Sequence, residues 1–269
     1  MGRCDSLRRT VPAALVATPF GDSVVLRVAS ELVRHAVGLV YPNSCIVCDT
    51  EEPPAEPLRH GLCSGCLRSV TTDPFPACPR CGQTVGPHVD TSQGCGECRG
   101  AAFAFDSVVR LGPYAGKLRD AVLRMKLLSG EGLADRLGRV LVEERGTAQA
   151  FAEIDTVVPV PLHWWRKWTR GYNQSEALAR EIARLMGRSY DPHILRRARF
   201  TTQHAQPTRS ARLANMRDAF RVRTGARITG KAVLLVDDVM TTGSTASVAA
   251  KALRDAGARR VAIAVLARR

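Results

Sequence analysis

The chain has 269 residues, and its 45% hydrophobic and 5% aromatic content supports a packed aliphatic core in one large or two ordinary domains. No apolar run approaches the length of a membrane span, which excludes a transmembrane segment. The net charge of +14, mostly from arginine, favours a polyanionic partner or a phosphorylated ligand, although an arginine-rich proteome would raise the charge equally.

Apolar residues show no regular spacing up to residue 22 and then recur at helical spacing. We expect residues 1–22 to be a disordered lead, with Cys4 as an unpaired thiol, and residues 23–42 to form an amphipathic helix. Arg8 and Arg9 precede a short apolar run that resembles a signal peptide faintly, but Pro12 breaks this run. Export is therefore the less favoured interpretation.

Eight of the nine cysteines form four Cys-x-x-Cys pairs, a regularity that indicates metal binding rather than disulfides. Residues 43–100 are accordingly predicted to form a double zinc ribbon with two structural, fully thiolate-ligated zinc ions. Sequential pairing is the simplest assignment, and cross-braced pairing stays open. Thiolate sites imply a reducing compartment, so we expect a cytoplasmic protein. The predicted ligands are Cys45, Cys48, Cys63, Cys66, Cys78, Cys81, Cys95 and Cys98.

Residues 101–269 alternate strand and helix patterns, as in a sheet with helical connections. Residues 103–112 and 155–160 are predicted strands, residues 114–128 and 133–142 are predicted helices, and a third helix follows Asn173 as far as residue 188. Residues 260–266 form a last strand in which apolar residues alternate. Lys126, near the end of the first of these helices, belongs either to a solvated face or to a cleft.

The loop after residue 160 interleaves aromatic and basic side chains. Because it follows a parallel strand, its residues Pro161, Arg166 and Arg170 are candidates to face a pyrophosphate. Trp164, Trp165 and Trp168 suit stacking of single-stranded bases, or else they pack the loop onto the protein body. A densely basic stretch follows at residues 196–231, and its polar part, residues 201–210, is predicted to be a mobile loop. Arg209 and Arg212 are further candidates for nucleic-acid binding.

Residues 233–245 carry the strongest motif of the chain. An apolar strand ends in Asp237 and Asp238, and a hydroxyl-rich turn then leads into a helix. Carboxylates accept hydrogen bonds from sugar hydroxyls or lie near a metal ion, whereas a helix N-terminus suits a phosphate. Together they suggest a ribose 5-phosphate ligand. The turn consists of Val239, Met240, Thr241, Thr242, Gly243, Ser244 and Thr245.

This stretch resembles the phosphoribosyl-pyrophosphate (PRPP) motif of type I phosphoribosyltransferases. With the paired cysteines, Val-Pro-Val-Pro at 158–161 and Arg-Gly-Tyr-Asn-Gln at 170–174, the chain from about Leu39 resembles the ComF family. That resemblance implies an α/β fold: a phosphoribosyltransferase-like parallel sheet flanked by helices and preceded by the double zinc ribbon. It also implies binding of PRPP with Mg²⁺ at residues 237–245, a pyrophosphate loop after Val160 and a flexible hood near residues 200–215.

By the same resemblance, the expected partners are PRPP, single-stranded DNA and proteins of DNA uptake. Thr241 departs from the 6-oxopurine enzymes, which place an aspartate there as proton partner of the purine; hypoxanthine and guanine are therefore poor acceptors here. Two functions stay open. The chain is either a DNA-handling protein with a PRPP pocket or an active phosphoribosyltransferase with an unidentified acceptor.

Overall fold

The structure is a computed structural model that describes residues 44–50, 57–146, 151–162, 171–198 and 219–269. All of these residues belong to one compact unit, Ser44–Arg269. The predicted N-terminal lead and helix and the whole of the predicted mobile loop, residues 201–210, fall outside the described residues. So do seven candidate site residues, namely Trp164, Trp165, Arg166, Trp168, Arg170, Arg209 and Arg212.

A five-stranded parallel sheet forms the centre of the described chain, with the strand order β1-β7-β6-β2-β3. Its strands are β1 Ser107–Pro113, β2 Thr156–Pro159, β3 Ser189–Tyr190, β6 Ala232–Met240 and β7 Arg260–Arg268. Two further strands, β4 Leu195–Arg197 and β5 Phe220–Val222, pair antiparallel as a separate ladder. The central strands carry long aliphatic runs, residues 232–236 in β6 and 261–267 in β7, because both faces of the sheet are covered.

Helices cover both faces of this sheet. The described helices are α1 Ser64–Thr71, α2 Gly116–Met125, α3 Glu131–Arg145, α4 Gln174–Met186 and α5 Ser244–Asp255. The apolar sides of α2, α3 and α4 pack on the sheet face that includes Leu234 and Val236, and α5 packs on the face that includes Val233 and Leu235. The structure therefore confirms a parallel sheet flanked by helices. Within the described part of the chain, no helix combines the length and apolar character needed to cross a membrane.

Several element boundaries differ from the sequence prediction. The first strand begins at Ser107 rather than at residue 103, since Phe103 and Phe105 pack beside α5 in place of pairing in the sheet. Strand β6 continues through the acidic pair to Met240, because its partner β7 extends equally far. The predicted alternation of apolar residues in β7 is wrong. This strand lies between β1 and β6 and is buried on both faces.

The second half of the cysteine region packs against the edge strand β1. The Val108 backbone N–H donates to the Pro79 carbonyl at 2.9 Å, so this edge of the sheet is partly covered. Gly82 has a φ of +71°, and a Cβ added there would lie 2.8 Å from Val108 Cγ1. Arg110, buried in β1, donates to Asp73 at 2.6 Å and to Thr84 at 2.8 Å. These contacts fix the cysteine region relative to the sheet.

Candidate functional site

The cysteines form two separate tetrads. Cys45, Cys48, Cys63 and Cys66 make one group and Cys78, Cys81, Cys95 and Cys98 the other, each with all sulfurs within 4.8 Å of one another. The grouping is sequential, which decides against the cross-braced alternative. Neither His60 nor His88 belongs to a tetrad; His60 instead lies 2.8 Å from Glu143.

The tetrads have the dimensions of tetrahedral zinc sites. A Zn–S bond of about 2.3 Å gives a tetrahedron whose edges are about 3.8 Å long. The Sγ–Sγ distances are 3.7 Å for Cys48–Cys63, 3.5 Å for Cys81–Cys95 and 3.8 Å for Cys78–Cys98. Burial raises the pKa of the Cys66 and Cys81 thiols, which disfavours bare thiolates. A zinc ion would supply the positive charge that thiolates need in such a setting.

The acidic pair lies where β6 reaches the carboxyl edge of the sheet. Asp237 Oδ1 accepts hydrogen bonds from Ser175 Oγ and from the Asp238 backbone N–H, both at 2.9 Å. Asp238 Oδ1 accepts from the Val239 N–H at 2.7 Å, and its Oδ2 lies 3.0 Å from Lys126 Nζ. Each carboxylate is thus oriented by one backbone N–H of β6 and by one side chain from elsewhere in the chain, Ser175 for Asp237 and Lys126 for Asp238.

The tripeptide Tyr172-Asn173-Gln174 and the following Ser175 frame this pair. Asn173 caps α4 by accepting from the Ser175 N–H at 3.1 Å, and its Nδ2 donates to the Val160 carbonyl at 3.3 Å. The cap places Ser175 at the start of the helix, facing Asp237. The Tyr172 hydroxyl donates to the Met125 carbonyl, one residue before Lys126. The motif therefore holds both partners of the acidic pair in place.

The turn after β6 leads directly into the N-terminus of α5. Gly243 occupies the N-cap position with a φ of +76°, so this position has no side chain that could cap the helix. The Thr242 and Ser244 hydroxyls lie 2.8 Å apart. Backbone N–H groups at a helix N-terminus, flanked by hydroxyls, favour a phosphate group. A Cβ on Gly243 would also lie 3.0 Å from the Phe103 ring.

The structure brings most of the described candidates to one edge of the sheet. Pro161 follows the end of β2, which is the neighbour of β6, and so lies at the same edge as the acidic pair. Lys126 was expected to belong either to a solvated face or to a cleft. Its contact with Asp238 supports the cleft interpretation. Ser175 was not among the predicted site residues, although its position just after Asn173, where a helix is predicted to begin, was the available signal.

Burial raises the pKa of Asp237 to about 7, and the adjacent charge of Asp238 is the second cause. An unfolded aspartate ionises near 3.9, so between about pH 4 and 7 the folded protein holds a proton that the unfolded chain has lost. The free energy of unfolding contributed by this group therefore falls as pH rises through that window, by at most about 1.4 kcal/mol per pH unit.

Asp237→Asn should consequently stabilise the protein without PRPP or metal, and more so at pH 8 than at pH 5. Urea unfolding at the two pH values measures the difference. Asp120→Asn, which makes the same charge change at an exposed carboxylate of α2, is the control. An Asp237→Asn effect that is equal at both pH values would contradict the raised pKa.

The fold and this edge of the sheet define a phosphoribosyltransferase-type domain that carries a double zinc ribbon. Two family models agree with this: the phosphoribosyl transferase domain matches residues 170–269, and the double zinc ribbon domain matches residues 36–99. The ribbon model accounts for both cysteine tetrads, and the transferase model includes the acidic pair and the turn.

The chain is 30% identical to competence protein F of Haemophilus influenzae, over 78% of this chain and 91% of that protein. It is 32% identical to DNA utilization protein YhgH of Escherichia coli K12, over 86% of this chain and 99% of that protein. The chain therefore belongs to the ComF family. A glutamine PRPP amidotransferase of B. subtilis is similar at 23% identity and a TM-score of 0.37, over 54% of this chain and 30% of that one.

Proposed function

We propose that this protein binds PRPP and handles single-stranded DNA that enters or is processed by the cell. The observation that supports PRPP binding is that two features, the acidic pair and the N-terminus of α5, lie together at one edge of the sheet. An oriented acidic pair, held by Ser175 and Lys126, lies one short turn from the N-terminus of α5. The names of the relatives, which refer to competence and to DNA utilization, support the DNA part.

PRPP fits these residues by the chemistry of its groups. The ribose hydroxyls donate hydrogen bonds to the Asp237 and Asp238 carboxylates, and the 5-phosphate accepts from the backbone N–H groups of residues 242–245. Lys126, whose side chain is 27% exposed and whose Nζ lies 3.0 Å from Asp238 Oδ2, adds a positive charge beside the sugar. Mg²⁺ bound together with PRPP would supply further positive charge to the pyrophosphate.

Phosphoribosyl transfer is the second candidate function, and the orientation of the acidic pair by Ser175 and Lys126 favours it. In that reaction, a lone pair of the acceptor forms a bond to C1 of the ribose. The bond between C1 and the pyrophosphate oxygen breaks, and its electron pair leaves with the pyrophosphate. A proton on the attacking atom passes to solvent. The chain's contribution is to position the sugar and to stabilise the charge that develops.

Three measurements on the full-length, zinc-loaded protein test the proposal. Calorimetric titration with PRPP and Mg²⁺ should show saturable binding, and its absence would refute the PRPP pocket. A fluorescent single-stranded oligonucleotide should bind at low salt and more weakly as salt rises. A lack of binding at low salt would remove the DNA role. Release of pyrophosphate on addition of a base would establish the transferase.

The predicted stacking residues supply a sharper variant for the DNA arm. Trp164→Ala with Trp165→Ala should weaken binding of the oligonucleotide about tenfold or more, since one stacked base contributes roughly 1–3 kcal/mol. PRPP binding, measured in the same variant, serves as the internal control for folding. Unchanged oligonucleotide affinity would assign these tryptophans to packing.

A further inference from the structure

The two cysteine tetrads differ in how they join the rest of the protein. The second tetrad packs with Val85 in a small, separate cluster. The first tetrad belongs instead to the main core, in the same cluster as the apolar side of α2. The first ribbon is the segment that carries this tetrad, namely Cys45, Cys48, Cys63 and Cys66. Because close-packed interiors transmit strain, a change in the first ribbon reaches α2 directly.

A bidentate ion pair fixes the last turn of α2 to the first ribbon. Arg124 Nη1 donates to Asp49 Oδ1 at 2.8 Å, and Arg124 Nη2 donates to Asp49 Oδ2 at 2.5 Å. Nη1 also lies 3.4 Å from the Ile46 carbonyl oxygen. Asp49 follows Cys48 directly, and its backbone N–H donates to the Cys45 carbonyl at 2.7 Å. The ion pair thus joins the turn around the first tetrad to α2.

Lys126 occupies the C-cap position of this last turn. Its backbone N–H donates to the Leu123 carbonyl at 3.1 Å, and the Leu127 N–H donates to the Arg124 carbonyl at 3.0 Å. Leu127 and Leu128 are 59% and 75% exposed, so burial of the side chains that follow the helix contributes little to fixing this region. The place of the Lys126 backbone therefore depends on the contacts of the last turn.

These contacts hold the last turn of α2 from two sides. On one side, the Tyr172 hydroxyl donates to the Met125 carbonyl. On the other side, the Arg124 guanidinium binds the first ribbon. From this turn, Lys126 Nζ reaches to within 3.0 Å of Asp238 Oδ2. A lysine side chain loses rotamer freedom when it is held in one place, and a fixed backbone reduces the misplacement that would add to this cost.

We propose that Asp49 and Arg124 are positioning residues through which the first ribbon sets the place of Lys126 beside the acidic pair. The inference rests on the proposed function, because it makes this ribbon a determinant of affinity in the PRPP pocket. Neither residue contacts the ligand in this proposal. Both act through the last turn of α2, so the first ribbon has a role in binding in addition to its structural role.

Labelling of lysine amines tests the inference without PRPP. Trace acetylation with acetic anhydride, read by mass spectrometry, compares Lys126 with Lys117, an exposed lysine at the start of the same helix. Arg124→Gln should raise the rate at Lys126 relative to Lys117 about threefold, as expected when an exposed ion pair is loosened. Arg119→Gln, which removes an exposed arginine of α2, is the matched control and should leave this ratio unchanged. An unchanged ratio in Arg124→Gln would overturn the inference.

PRPP affinity, measured by calorimetry with Mg²⁺ on the full-length, zinc-loaded protein, separates positioning from net charge. Arg124→Gln and Asp49→Asn change the net charge in opposite directions, so a charge effect on an anionic ligand would weaken binding in the first and strengthen it in the second. Positioning of Lys126 predicts that both substitutions weaken binding, each about threefold. Asp49 has a φ of +59°, which asparagine also adopts readily, so both variants should retain two zinc ions. Unchanged or tighter binding in Asp49→Asn would contradict the positioning role.

Lys126→Ala completes a double-mutant cycle with Arg124→Gln. In the Lys126→Ala background, Arg124→Gln should weaken PRPP binding no further, since the side chain that it positions is gone. A general structural effect of Arg124 would weaken binding equally with and without Lys126, and that result would refute the inference. If the unsubstituted protein does not bind PRPP while Arg124→Gln changes the labelling of Lys126, the proposed function fails and the positioning of Lys126 stands.

Discussion

Replacing Cys81 and Cys98 with serine should remove one of the two zinc ions and unfold the second ribbon, while the parallel sheet stays folded. The apolar cluster of this ribbon consists mostly of its own cysteines and Val85, with Ala101 and Phe103 packed against it. So small a cluster does not offset the cost of ordering the chain without metal. Structural zinc sites contribute about 10–16 kcal/mol at neutral pH, which makes this a large expected effect.

Metal analysis should find the zinc content halved in this double variant. Hydrogen exchange should show lost protection near residues 76–101 and retained protection in β6 and β7, whose cores are formed by other residues. Cys4→Ser is the matched control because Cys4 lies outside the four Cys-x-x-Cys pairs. A full complement of two zinc ions in the double variant would refute the ligand assignment.

The same variant should leave the acidic pair and the turn after β6 in place. The acidic pair and the turn before α5 do not include ribbon residues, and PRPP binding should persist.

Asp237→Ala with Asp238→Ala should abolish measurable binding of PRPP with Mg²⁺. Each carboxylate is proposed to accept a hydrogen bond from a ribose hydroxyl, and a hydrogen bond to a charged group contributes about 1.5–3 kcal/mol. The loss of both predicts at least a hundredfold weaker affinity. The protein should stay folded, since the substitution removes two adjacent like charges from a partly buried site.

Calorimetry measures this affinity, and Asp120→Ala with Asp255→Ala is the control. These two aspartates are exposed, pair with neighbouring basic residues on α2 and α5, and make the same change in net charge. Asp237→Asn with Asp238→Asn is a second variant that keeps the side-chain shape. Equal PRPP affinity in the Asp237 and Asp238 variants and in the unsubstituted protein would place the ligand elsewhere.

Much of the fold was predictable because its signals are local. The first five residues of strand β6, Ala232 to Val236, are an aliphatic run that a sheet covered on both faces requires, and Asn173 marks the start of α4 as a helix-capping residue. The paired cysteines specify metal sites because each pair brings two sulfurs to one turn. The boundaries of β1 and β7 were less predictable, since strand ends depend on which partner strand continues beside them.

The sequence by itself determined the parallel sheet with helices, the zinc ribbon and the location of the acidic pair, because periodicity and spacing express them within short segments. Only the tertiary structure decided the sequential grouping of the cysteines, since both pairings have the same spacing in the chain. It also decided that Lys126 faces Asp238 and that Gln83, Glu97 and Phe103 share a cavity with Thr241. Such contacts join residues far apart in the chain, and no local pattern reports which distant segments pack together.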